Sequence, residues 1–135
     1  DSVHLSIWQP RLFGLSPEEQ FSWQSFFKYR ERILPELEKA RQRKTIGKSL
    51  EAKIIFTPDL DTPNAIVSGR EQFQELLNVS QYEPTSGEAT LVIKVEHADG
   101  QKCERCWHWE TDVGSNPAHP TLCRRCVQAV EAVSV

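Results

Sequence analysis

From Pro17 to about Lys44, apolar side chains recur at positions 23, 26, 27, 33, 34, 37 and 40, with the aliphatic stem of Arg30 filling one gap. Steps of three and four residues place them on one face of a helix. Ser16-Pro17-Glu18-Glu19 marks its start. Ser16 can cap, Pro17 suits the first helical position, and Glu19 completes a capping box. Gly47 reads as the stop. Pro35 lies inside the run, where it removes one helical hydrogen bond and crowds the preceding turn, so a kink or break is expected there. Trp23, Phe26 and Phe27 are expected in the core. Residues 1–15, with Trp8-Gln9-Pro10 and Phe13-Gly14-Leu15, read as loop.

After Gly47 the helical period gives way to short segments. Ala52-Lys53-Ile54-Ile55-Phe56 reads as a strand and 57–62, with Pro58 and Asp61, as a turn. A short helix is expected over 71–77 and a short strand over 79–82. The run 89–97 is richest in β-branched residues and is the clearest strand. Asp99-Gly100 is a turn signal. The fold class is therefore α+β: a helical segment over 1–50, a small mixed α/β region with short strands over 51–97, and a cysteine-bearing module over 98–135.

Charge changes this picture locally. The 135 residues carry a net charge of −3, yet residues 28–53 hold nine Lys/Arg against four Asp/Glu, and residues 54–100 hold two against eight. A basic segment inside an acidic chain points to a local anionic partner. Lys39, Arg41, Arg43, Lys44 and Lys48 gather near the helix end. They suit backbone phosphates, and equally they suit the helix dipole and a solvated face. No apolar run reaches the roughly 20 residues of a membrane span, and the start lacks the basic-then-apolar pattern of a secretion signal. The chain reads as cytoplasmic. It contains no Met and opens abruptly, so it is expected to be cut from something longer.

The chemistry lies in Cys103, Cys106, Cys123 and Cys126: two Cys-x2-Cys pairs with sixteen residues between them. Each pair offers two sulfurs from one tight turn, and two pairs close a tetrahedral shell around Zn²⁺. All four positions are filled, so the site is structural, with no place for a reacting water. Two disulfides would need an oxidising compartment, and a redox pair would account for one Cys-x2-Cys only. Lys102, Arg105, Arg124 and Arg125 can offset the −2 of a zinc tetrathiolate. His108 and His119 read as loop residues rather than ligands. Gly47-Lys48-Ser49 looks like the end of a phosphate-binding loop, but Gln42 stands where that motif needs Gly, and the segment follows a helix rather than a strand. No nucleophile–base arrangement stands out, and His4 and His97 are isolated. The chain itself shows no catalytic site.

Lys102-Cys103-Glu104-Arg105-Cys106-Trp107 with Leu122-Cys123-Arg124-Arg125-Cys126-Val127 closely resembles the C-terminal zinc finger of bacterial-type isoleucyl-tRNA synthetases. Three upstream blocks extend the likeness: Val3-His4-Leu5 followed by Trp8; Arg30 with Leu37-Glu38-Lys39-Ala40-Arg41; and Lys44-Thr45-Ile46-Gly47-Lys48-Ser49-Leu50-Glu51-Ala52. Residues 57–88 match loosely. The finger alone also resembles that of formamidopyrimidine-DNA glycosylases, so a zinc module binding DNA or protein is the alternative. The third block favours the synthetase, whose catalytic signatures are absent here. The resemblance implies one structural zinc, the rest of the synthetase as a neighbour in a monomeric enzyme, and an isoleucine tRNA whose anticodon arm is held while a distant domain performs ATP-dependent aminoacylation. Arg41, Arg43, Lys44, Lys48, Arg105 and Trp107 are the residues implied to touch it. Trp107 could stack on an unpaired base or pack on its own module as a miniature core.

Overall fold

The computed structural model describes residues 5, 7, 9–11, 13–87 and 89–133. Val3, His4 and Trp8, singled out in the sequence, lie outside the described residues. Helix α1 spans Pro17–Gln42 and begins with the expected capping box. The Ser16 Oγ accepts the Glu19 N–H at 3.2 Å, and the Glu19 carboxylate accepts the Ser16 N–H at 2.7 Å. The helix runs on through Pro35 without the expected break. Pro35 and Glu31, whose carbonyl loses its partner, are both exposed, so water can take the freed acceptor.

The end of α1 corrects the sequence reading. Gly47 is not the stop. Lys44 donates its N–H to Arg41 O at 2.9 Å and Thr45 to Ala40 O at 3.0 Å, the two bonds of a Schellman turn. That turn needs a left-handed residue just past the helix, and Lys44 supplies it with φ 60°. Gly47 serves the following turn instead: its N–H meets the Glu51 carboxylate at 2.6 Å. That bond, ahead of the opposing effect of burial, holds the Glu51 carboxyl below the usual carboxylate range.

After a 3₁₀ turn over Ser49–Glu51, strand β1 (Ala52–Thr57) takes the centre of a three-stranded sheet. Helices α2 (Asn64–Ser68) and α3 (Arg70–Leu77) form the crossover to β2 (Gln81–Pro84), which runs parallel to β1. Strand β3 (Val92–His97) lies antiparallel on the other side of β1. Two strand expectations shift. β3 begins at Val92 rather than at 89, where pairing with Thr57 starts. β2 begins at Gln81 rather than at 79, because the left-handed cap Asn78 ends α3 and Val79 and Ser80 turn inward first. Helix α2 has no counterpart in the sequence reading.

One core joins α1 to the sheet. Phe26, Tyr29, Ile33, Leu37 and Ala40 of α1 pack with Ile54, Phe56, Ile66, Phe73 and Tyr82. Each large apolar side chain buried here contributes about 1.5–3 kcal/mol. The Tyr82 hydroxyl donates to Ile66 O at 3.1 Å, so its one polar atom is satisfied. Phe26 is in the core as expected, but Trp23 is only at its margin and Phe27 is half exposed on the flank of the helix.

The C-terminal module follows directly from β3. A two-residue hairpin, β4 (Gln101–Lys102) against β5 (Trp109–Glu110), leads to helix α4 (Arg124–Val133). The junction is pinned rather than loose. Ala98 donates to Glu51 O at 2.7 Å, and Lys53 pairs with Asp99 at 2.8 Å and Glu83 at 3.3 Å. Gly100, at φ +87°, passes so close to Glu110 that a Cβ would sit 2.3 Å from its carbonyl oxygen. Among the described residues no helix is long and apolar enough to cross a membrane.

Gly69, between α2 and α3, tests the packing. A Cβ there would lie 2.6 Å from Ala65 O and 2.7 Å from the Phe26 ring, which is itself stacked on Phe73. Gly69→Ala is expected to destabilise the protein by about 1–3 kcal/mol, as overpacking does. Urea unfolding of the two proteins measures it, and an unchanged midpoint would show that α1 is not seated as described.

Candidate metal centre

The four sulfurs of Cys103, Cys106, Cys123 and Cys126 lie within 4.8 Å of one another. Cys106 Sγ and Cys123 Sγ are 3.8 Å apart. Four sulfurs at about 2.3 Å from one tetrahedral ion stand about 3.8 Å from each other, whereas a disulfide needs about 2.05 Å. All four cysteines are free thiols. The geometry therefore fits one structural zinc ion and no disulfide. Among the described residues no fifth ligand intrudes: His108 and His119 are outside the cluster.

Local structure explains how the sulfurs are aimed. The first pair lies on a tight turn after β4, closed by the Trp107 N–H on Cys103 O at 2.8 Å. The second pair straddles the start of α4, where the first free N–H groups and the positive end of the helix dipole favour thiolate. Asp112 holds that end by accepting the Arg124 N–H at 3.3 Å. The Cys123 N–H points at Cys103 Sγ at 3.4 Å. Burial opposes ionisation of Cys103, yet the amides of Cys106, Cys123 and Arg105 together bring its thiol down to about 6. Burial pushes Cys123 up to about 12 and raises Cys106 as well. Amide hydrogen bonds favour thiolate and burial opposes it, a balance that a bound divalent cation would tip toward thiolate.

The flanking cations divide their work. Arg105 Nη1 reaches Cys126 Sγ at 3.6 Å, and hydrogen bonding to the Cys106 sulfur holds the Arg125 guanidinium above its ordinary pKa. Lys102 instead lies over the Trp107 ring, 5.5 Å from its centroid. Trp107 does not form a miniature core: it is 61% exposed, with a left-handed backbone at φ 65°. Among the described residues, the apolar support around the sulfurs is Val113 and Leu122.

The other residues implied by the resemblance are placed as follows. Arg41 bonds Glu38 at 3.0 Å and Ser49 Oγ at 2.6 Å, and so braces the turn after α1. Arg43 caps α1 through its backbone and is exposed, as is Lys44. Lys48 faces the metal module: with Leu50 and Glu51 it forms one wall of a small crevice whose other wall is Lys102, Trp107 and Trp109. The structure thus brings Lys48 and Trp107 together across more than fifty residues of sequence. It adds Lys102, read earlier only as a charge offset. His97 is not isolated either, since its ring meets Trp109 edge-on at 4.6 Å.

Replacing Cys123 with Ser is expected to release the metal and unfold the module over 98–135, with less effect on β3. Metal analysis together with hydrogen exchange checks both halves. Protein purified under reducing conditions and found free of zinc would sink the assignment.

A family model described as "Zinc finger found in FPG and IleRS" matches residues 100–129, a stretch that holds all four cysteines. Among curated proteins, the chain is similar to the isoleucine–tRNA ligase of Exiguobacterium sibiricum, 44% identical over 115 residues, covering 82% of this chain and 12% of that protein. It is 39% identical over 131 residues to the ligase of the same name from Glaesserella parasuis, covering 88% of this chain and 14% of that one. With that of Pectobacterium carotovorum it shares 37% over 142 residues, 95% of this chain and 15% of that one. The chain therefore spans only 12–15% of the length of these relatives. On the four-cysteine cluster and these likenesses, the chain belongs to the isoleucine–tRNA ligase family, matching its zinc-finger-bearing C-terminal part.

Proposed function

We propose that this region binds the anticodon arm of isoleucine tRNA, as part of a monomeric cytoplasmic ligase that performs ATP-dependent aminoacylation elsewhere in the same polypeptide. Cys103, Cys106, Cys123 and Cys126 are the ligands of its structural zinc. That ion supplies rigidity and no reaction step.

The observation that supports this most is where the backbone is strained. Among the described residues, three non-glycine positions have positive φ: Lys44, Asn78 and Trp107. Asn78 is an ordinary left-handed helix cap. Lys44 and Trp107 are not suited to that conformation, where glycine is easiest and bulky side chains are unfavourable. Lys44 takes it as the left-handed residue of the turn that ends α1, whereas the exposed Trp107 indole has no packing that explains it. An exposed indole held at such a position, with exposed Lys44 and Lys48 in the same chain, suits a ligand outside it. Phosphate and unstacked base are the chemistries they match.

The residues then take distinct roles. Arg43, Lys44 and Lys48 meet backbone phosphates. Trp107, with Lys102 over its ring, offers a stacking face. Arg41 and Arg105 act mainly by holding these groups in place, through Ser49 and Cys126.

Stability and binding should move in opposite directions. In the full-length, zinc-loaded ligase, Lys44→Gly and Trp107→Gly are each expected to stabilise the fold by about 0.5–1 kcal/mol. Trp107→Gly should weaken isoleucine tRNA binding by about 1–3 kcal/mol, the typical worth of one stacked base. Lys44→Gly should reduce the salt dependence of binding. Titration with isoleucine tRNA and a control tRNA at two salt concentrations reads both. If neither variant changes tRNA affinity, the reading fails, and duplex DNA binding by the same protein would favour a glycosylase-like zinc module instead.

A further inference from the structure

The two walls of the Lys48–Trp107 crevice come from separate parts of the chain, and zinc fixes only one of them. Beside the Ala98–Glu51 and Lys53–Asp99 contacts at the junction, they are joined through Ser80, a polar residue 2% exposed just before β2. Its hydroxyl donates to Leu50 O at 2.5 Å and accepts the Trp109 N–H at 2.8 Å. A hydroxyl has one hydrogen and two lone pairs, so this single group bonds the backbone of each wall once. Ser80 is itself held by Gln74 Nε2, which donates to its carbonyl at 2.7 Å.

Gln81 completes the attachment. Its side-chain nitrogen donates to Asp99 O at 3.0 Å and Trp109 O at 3.3 Å, while its oxygen accepts the Asp99 N–H at 2.9 Å. The amide group uses both faces on the metal module and its junction. None of these bonds goes to a cysteine. The module can therefore close on its metal and still sit wrongly against the sheet.

We infer that Ser80 and Gln81 are positioning residues: they set the turn carrying Lys48 and the knuckle carrying Trp107 at one fixed separation, so that both act on the same stretch of nucleic acid. This rests on the tRNA-binding reading above, and it assigns the alignment of that surface to a buried clamp rather than to zinc. In a rigid crevice, contacts from the two walls form together, so removing one side chain weakens the contribution of the other.

The test uses the full-length, zinc-loaded ligase with Ser80→Ala, Ser80→Thr and Gln81→Leu. Both Ser80→Ala and Gln81→Leu should keep their zinc. The Trp109 amide should exchange about tenfold faster in Ser80→Ala, as expected when one hydrogen bond of an otherwise folded segment is lost, and Ser80→Thr should restore protection. Isoleucine tRNA binding should fall about fivefold in Ser80→Ala. A double-mutant cycle between Lys48→Ala and Trp107→Ala should show coupling in the parent enzyme and simple additivity in the Ser80→Ala background. A merely structural serine would lower stability and leave that coupling intact. Unchanged coupling, or unchanged Trp109 exchange, overturns the clamp. Loss of zinc from both Ser80→Ala and Gln81→Leu also overturns it, by making the pair a folding requirement. If Lys48→Ala and Trp107→Ala leave tRNA binding untouched in the parent enzyme, the tRNA reading falls, and Trp109 exchange still decides whether the two residues anchor the module.

Discussion

Thiolates confined within 4.8 Å repel one another, and the C-terminal module depends on what offsets that repulsion. Backbone amides, the start of α4, Arg105 and Arg125 each take part of the charge. They favour thiolate while burial opposes it, and a divalent cation would offset what they leave. Apolar burial is slight here, because among the described residues Val113 and Leu122 are the apolar non-cysteine side chains packed against the cysteine cluster. The metal is the core of this module. The knuckle that carries the exposed Trp107 is built around it.

Upstream the order of dependence is reversed, because an ordinary apolar core carries α1 and the sheet. The block from Lys44 to Ala52 that prompted the family resemblance shows this in detail. Ile46 is buried, Gly47 and Glu51 bond each other, Ser49 accepts from Arg41, and Ala52 opens β1 with no exposed surface. Nearly every residue in the block has a structural task. Lys44 shapes the turn after α1 with its backbone, and the side chains of Lys44 and Lys48 are left exposed.

The parts legible in the sequence are those with local causes. The capping box, the 3.6-residue period and the Cys-x2-Cys spacings need only neighbours within a few positions, and they led to α1 and the metal centre. The failures need distant partners. The start of β3 depends on Thr57, and Phe27 fell outside the core because the sheet covers only one side of α1. The helix end was misplaced because a lysine took the left-handed position that glycine normally holds. Ser80 and Gln81 carry no motif at all. Their significance arises from bonds to residues about thirty positions away on either side, Leu50 and Trp109.

Pro84, the last residue of β2, has a consequence for how the protein behaves in a crowded solution. Thr85 directs its N–H inward to Phe56 O at 2.8 Å, and because strand residues alternate, Pro84 faces the outer edge, where it has no N–H to give. At the opposite edge, β3 carries Lys94 and Glu96, paired at 2.7 Å. An added strand would meet a missing donor on one side and paired charges on the other. Each edge of the three-stranded sheet thus carries a feature that disfavours an added strand, which lowers its tendency to pair with another chain.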